Sequence, residues 1–187
     1  SYLTAVEGIT LLKNENNSLP LNNSKKVIVT GPMSNSLTMV NGAWTRTWQG
    51  TDAKWNDENK LTIWEAIKEQ NENAIWTAGC GINEERDLNL DLQMIHSGDI
   101  VIACVGEYPS TEKVGDINSL DMEREQVNYI KAIANKGAKI ILVLVENRPR
   151  IIREIEPLCE AIILAYQPSE NGTKALAEII YGKVNPS

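Results

Sequence analysis

The sequence predicts an α/β fold: a three-layer sandwich whose mostly parallel, doubly wound sheet of five to six strands carries helices on both faces. Three observations carry that prediction. Short Val/Ile-rich runs recur along the chain, and most are apolar at successive positions, as strands covered on both faces require. Segments with helical periodicity and readable ends lie between them. The two kinds alternate, and strand–helix–strand units close into a parallel sheet through right-handed crossovers. At 187 residues the chain suits one domain, spanning residues 1–187.

In chain order, the first strand is read at Lys26–Thr30, before Gly31-Pro32. Thr62-Ile-Trp-Glu65 has the spacing of a capping box and opens a helix running to about Gln70. Ala74–Ala78 is the second strand. Leu90–His96 is a weaker helix stopped by Gly98, and Asp99–Val105 is the third strand. Asp121 is read as the cap of a helix ending near Asn135, with Gly137 as its stop. Ala138–Val145 and Ala161–Ala165 are further strands, and Asn171–Tyr181 is the last helix, closed by Gly182. Trp64 and Trp76 fall inside regular elements and are read as core; Trp55 is left open. The single His96 is read as a helix C-terminal or packing residue.

Composition excludes several classes. Hydrophobic residues make up 42% and charged residues 23%, an ordinary globular balance. The net charge of −7 would repel a phosphate backbone, so nucleic acid is not an expected partner. No apolar run has the length of a membrane span, so no membrane partner is expected, and Ser1-Tyr-Leu-Thr4 does not read as a signal peptide. Cys80, Cys104 and Cys159 lack metal-ligand spacing and read as buried thiols, with no metal or cofactor implied.

The parallel reading directs attention to the loops after the strands: residues 31–60, 106–120, 146–150 and 166–174. In doubly wound sheets ligands bind at that edge, where the strand order reverses. If the order is the flavodoxin type, the first two loops flank that point. The first contains Asn41-Gly-Ala-Trp-Thr-Arg-Thr-Trp-Gln-Gly50. Trp44 and Trp48 make a candidate aromatic platform, since an indole face stacks on the C–H face of a sugar ring. The alternative is that both indoles cover the sheet edge. The second loop reads Val105-Gly-Glu-Tyr-Pro-Ser-Thr-Glu-Lys-Val-Gly-Asp116. It presents three acids at the ligand edge, and glycoside cleavage needs one carboxyl to protonate a leaving oxygen and another as nucleophile or base. A solvated acidic loop is the other reading of the same residues.

Several motifs in order resemble one family. Leu11-Leu-Lys-Asn14 with Leu19-Pro-Leu21, the tryptophan loop, the acidic loop, Arg148-Pro149 and Tyr181-Gly-Lys-Val-Asn-Pro-Ser187 together resemble the second domain of family-three glycoside hydrolases, the β-glucosidase and exo-β-glucanase group. The resemblance implies that Glu112 is the general acid/base, that Trp48 walls the leaving-group subsite beside Trp44, and that Glu107, Asp116 and Arg148 brace the loop. It implies a β-linked gluco-oligosaccharide or glucoside as substrate. It also implies a (β/α)8 barrel domain as partner within a longer chain, carrying the nucleophilic Asp, and a periplasmic or secreted location. The chain departs from the family pattern at Asn147-Arg-Pro, where Gly-Arg-Pro is usual, and at Pro168-Ser-Glu-Asn-Gly-Thr173, which has lost glycines.

Two rival functions would share features of this sequence. A nucleotide-binding or receiver-type domain would share the fold, but Gly31-Pro32 offers no Gly-x-Gly-x-x-Gly fingerprint and no acid pair at the first strand end. A sugar-binding or lid domain without catalysis shares Trp48 and differs only in whether Glu112 works.

Overall fold

The computed structural model describes residues 1–187. Its centre is a six-stranded sheet built from β1 (Thr10–Asn14), β2 (Val27–Thr30), β3 (Ala74–Trp76), β4 (Ile100–Gly106), β5 (Lys139–Val145) and β6 (Ala161–Leu164). The spatial order is β1-β6-β5-β4-β2-β3, and every pairing is parallel except β1 with β6. The five parallel strands thus take the flavodoxin order, and the chain reverses its winding between β2 and β4.

Side chains alternate across the pleat and divide the core in two. Val27, Val29, Ile102, Cys104, Ile141 and Val143 face one layer, where α1 (Tyr2–Gly8), α3 (Ile63–Gln70) and α6 (Thr173–Ile180) pack. Ile28, Val101, Ala103, Ile140, Leu142 and Ile162 face the other, covered chiefly by α5 (Arg124–Asn135) through Val127, Tyr129, Ile130 and Ile133. Tyr129 is wholly buried, and its hydroxyl meets Thr30 Oγ1 at 2.7 Å. That contact satisfies the polar end of a large apolar payload. All three cysteines are free and buried, and burial pushes the Cys80 and Cys159 thiols up to about 12. The chain has no helix long and apolar enough to cross a membrane.

The capping box forms as the spacing demands: Thr62 Oγ1 accepts from Glu65 N, and Glu65 Oε2 accepts from Thr62 N. Elsewhere the structure corrects the reading. β1 and α1 were not anticipated; β1 is a half-exposed antiparallel edge, so its five residues lack the apolar run of a covered strand. Helix α5 starts at Arg124 after Glu123, whereas Asp121 lies in an isolated bridge with Ile151 and accepts from Ser119 Oγ. Helix α6 starts at Thr173, α4 spans only Asn89–Gln93, and a short α2 (Leu37–Asn41) lies in the loop after β2. Trp76 is 37% exposed because β3 is the other sheet edge, although its Nε1 donates to Ser34 Oγ. Trp64 packs against the core, and Trp55 is exposed. His96 is exposed, with Nδ1 3.7 Å from Asp99 Oδ2, and fills no packing role.

Candidate active site

The loops after β2 and β4 meet at the carboxyl edge of the sheet, on either side of the winding reversal. Glycine opens both. A Cβ on Gly31 would lie 2.3 Å from Cys104 O, and one on Gly106 would lie 1.8 Å from Val145 O. Only glycine lets the strand ends lie this close, so both loops leave the sheet where its backbones are tightest.

Glu107 is the first residue of the acidic loop and is buried. Its Oε1 accepts from the backbone N–H groups of Asn147 and Arg148 at 3.0 and 3.1 Å. Its Oε2 accepts from Arg148 Nε and Nη2 at 3.1 and 2.9 Å and from Arg150 Nη1 at 3.4 Å. A buried carboxylate is tolerated when every lone pair is met in this way. Arg150 continues to Glu123 Oε1 at 3.0 Å, and Arg148 Nη1 donates to the carbonyl of Gly115. Asn147 Nδ2 donates to Ser110 O at 3.0 Å. The turn after β5 therefore grips the acidic loop on both sides of residues 111–114. A cavity of about 190 Å³ lies beneath, lined by Glu107, Tyr108, Ser110, Arg148 and Arg150 among others.

Glu112 occupies the exposed crown of that loop, at the start of the 3-10 turn Glu112–Gly115. Its φ of 55° lies in the left-handed region, which a non-glycine residue adopts when its surroundings hold it there. Its carboxylate engages no hydrogen bond or ion pair. Asp116 is also exposed; its N–H bonds Lys113 O at 3.2 Å, while its carboxylate has no partner. Glu107, Arg148 and Asn147 thus brace this loop from the β5 side, and the Asp116 side chain does not.

The tryptophan loop is held from the opposite flank. Arg46 pairs with the buried Glu170, whose Oε2 accepts from Asn41 Nδ2 and Asp57 N, and Glu170 N donates to Asn41 Oδ1 at 2.9 Å. Trp44 has φ 60° and is 66% exposed; Trp48 is 47% exposed. Neither indole covers the sheet as a core side chain would. Gln49 reaches the acidic loop, with Nε2 donating to Thr111 O at 3.2 Å and Oε1 accepting from Thr111 N at 3.0 Å. The contact places the residue after Trp48 against the residue before Glu112.

The sequence assigns no role to Gln49, Asn147, Arg150 or Glu170, although Asn147 and Glu170 lie where the chain departs from the family pattern. Gln49 lay inside a motif, but its partner is 62 residues away. Glu146 was also missed. It is buried at the end of β5, its Oε1 accepts from Arg150 N at 3.3 Å, and its Oε2 has no partner. Burial, with the nearby Glu107 charge, pushes its carboxyl up to about 7. No group of three or more His, Cys, Asp or Glu side chains gathers as metal ligands would. A larger hollow of about 380 Å³ lies at the amino edge of the sheet among Asn16, Lys25 and Lys139, away from both loops.

A model of the glycosyl hydrolase family 3 C-terminal domain matches residues 9–187. The lysosomal beta glucosidase of Dictyostelium discoideum is 35% identical over 195 residues, covering 98% of this chain and 24% of that protein. Xylan 1,4-beta-xylosidase of Xylanibacter ruminicola is 29% identical over 126 residues, covering 59% of this chain and 15% of that protein. Among solved structures, the beta-glucosidase from Listeria innocua superposes with a TM-score of 0.86 at 19% identity, over 100% of this chain and 25% of that one. The chain spans about a quarter of the length of the first of these relatives. The match over nearly the whole chain and the shared fold agree, and the chain belongs to the glycosyl hydrolase family 3 C-terminal domain family.

Proposed function

We propose that this domain supplies the general acid/base, Glu112, and a wall of the leaving-group subsite, Trp48 with Trp44, for retaining hydrolysis of β-glucosides. The nucleophile comes from a (β/α)8 barrel domain of the full-length protein. The observation that carries this reading is the state of Glu112. Its carboxylate is free and exposed, while the backbone on both sides is tied down by Gln49, Asn147 and Arg148. A surface acid with no task needs no such anchorage, and a proton donor must meet its substrate oxygen at a fixed distance.

The chemistry divides into two steps. Glu112 gives its proton to the departing glycosidic oxygen as the barrel carboxylate attacks the sugar carbon. The resulting carboxylate then takes a proton from water as that water releases the sugar from the enzyme. Glu107, held by two arginines and two backbone N–H groups, is fixed as a carboxylate acceptor and serves as the loop's anchor rather than its acid. A glucoside is favoured over a xyloside because the 35%-identical relative is a beta glucosidase.

The second reading, a non-catalytic sugar-binding or lid domain, draws on the same exposed indoles. The two separate on leaving-group dependence. In the full-length protein, Glu112→Gln should lower kcat/KM steeply for aryl β-glucosides with poor leaving groups and little for those with good ones. A lid without an acid predicts a uniform rise in KM and no such slope.

A further inference from the structure

The two site loops have separate anchors. Glu170 and Asn41 hold the tryptophan loop, and the turn after β5 holds the acidic loop. The two hydrogen bonds from the Gln49 side chain to the Thr111 backbone are the ones that join residues 41–50 to residues 107–120. We infer that Gln49 is a positioning residue that sets the backbone from which Glu112 projects and locks that acid in register with Trp48. The inference rests on the reading of Glu112 as the acid/base.

The geometry makes this specific. A carboxamide sets an acceptor oxygen beside a donor NH2 group in one plane, and Gln49 uses both groups on a single residue, as a neighbouring strand would. Thr111 is accordingly extended, with φ −149° and ψ 161°, and the chain then turns to φ 55° at Glu112. An extended residue followed by a left-handed one fixes the direction of the next side chain. The Arg148 grip on Gly115 and the Asn147 grip on Ser110 leave Thr111 as the remaining free backbone before the acid. Gln49 occupies that gap. Gly50, next in sequence, has φ 75°, and a Cβ there would lie 2.2 Å from Gly42 O, so the neck of the tryptophan loop is closed behind it. Trp48 and Gln49 therefore sit in a short closed turn whose contact with the acidic loop is Thr111.

The test uses the full-length protein with Gln49→Ala and Gln49→Glu. The second variant keeps the size and the acceptor but sets an oxygen against Thr111 O, so it reports the lost donor even if the alanine variant folds poorly. Phenyl β-glucoside needs protonation to leave, whereas dinitrophenyl β-glucoside does not. The inference predicts that kcat/KM for the phenyl substrate falls roughly tenfold or more in both variants, while that for the dinitrophenyl substrate stays within about twofold. Fewer folded molecules would lower both values by one factor, so an equal fall, or no fall, overturns the inference. Glu112→Gln runs alongside. If it discriminates between the substrates and the Gln49 variants do not, Gln49 has no positioning role and the acid/base reading stands. If Glu112→Gln fails to discriminate, the acid/base reading fails and the Gln49 inference with it.

Discussion

Arg148→Met removes the fork that joins the acidic loop to the turn after β5. The lost contacts are Nε and Nη2 on Glu107, at 3.1 and 2.9 Å, and Nη1 on the Gly115 carbonyl. Stranding one partner of a buried ion pair costs roughly 3–5 kcal/mol. Glu107 is not wholly stranded, because Asn147 N, Arg148 N and Arg150 Nη1 still donate to it. Arg148 is itself half-buried, so solvent already meets part of its charge. The loss should therefore be about 2 kcal/mol, the scale of one charge-assisted interaction with its neighbours intact. Urea denaturation of the 187-residue chain would read it as a fall in midpoint at constant slope. Arg148→Lys keeps the charge but cannot fork between Glu107 and Gly115, so it should recover less than half of the loss. A methionine variant within about 0.5 kcal/mol of the parent would refute the idea that this fork holds the loop, since surface substitutions alone reach that much. A lysine variant equal to the parent would show that charge, and not geometry, is what matters.

Glu146 gives a pH signature. Burial raises its carboxyl to about 7, so between the ordinary carboxyl value and neutrality the native state holds a proton that the unfolded chain releases. Its contribution is full at low pH and is lost as pH rises through about 7, a swing of up to roughly 3 kcal/mol. Glu146→Gln should therefore stabilise the chain relative to the parent at about pH 8 and not at about pH 5, by urea denaturation at both. A gain of equal size at both would refute the assignment. Gly31→Ala places a Cβ 2.3 Å from Cys104 O at a φ of 98° and should cost roughly 3 kcal/mol or more, seen as loss of the cooperative transition. The 187-residue chain by itself should fold yet release no phenolate from aryl β-glucosides above background, because half a retaining pair cannot form the glycosyl-enzyme. Turnover by the purified chain would refute the two-domain account.

What the sequence disclosed followed from how locally each feature is encoded. β4 and β5 are apolar at successive positions because helices cover both their faces, so they stand out without any knowledge of partners. The Thr62/Glu65 cap is a four-residue device and forms as its spacing demands. β1 was hidden because an edge strand of five half-exposed residues has no such run, and Asp121 misled because a capping residue type also serves turns. The site loops were legible as two of the four loops after strands that the alternation selects, and the flavodoxin order of the sheet narrows those four to these two. Their supports were not. Gln49 meets Thr111 across 62 residues and Arg46 meets Glu170 across 124, and nothing in local composition distinguishes these from any polar loop residues. Asp116 shows the converse: it belongs to the motif, yet its carboxylate engages nothing in this domain.

The most direct test of the account is chemical rescue at Glu112 in the full-length protein. Glu112→Gln should still be glycosylated by dinitrophenyl β-glucoside, whose phenolate leaves without a proton, and should then stall, giving a burst followed by slow turnover. Azide attacks without needing a base, so adding it should restore turnover and yield β-glucosyl azide. Glu107→Gln, which alters the anchor and not the acid, should show no rescue. Rescue at Glu107 with none at Glu112 would contradict the assignment of the acid, and rescue at neither would remove the acid/base from this loop.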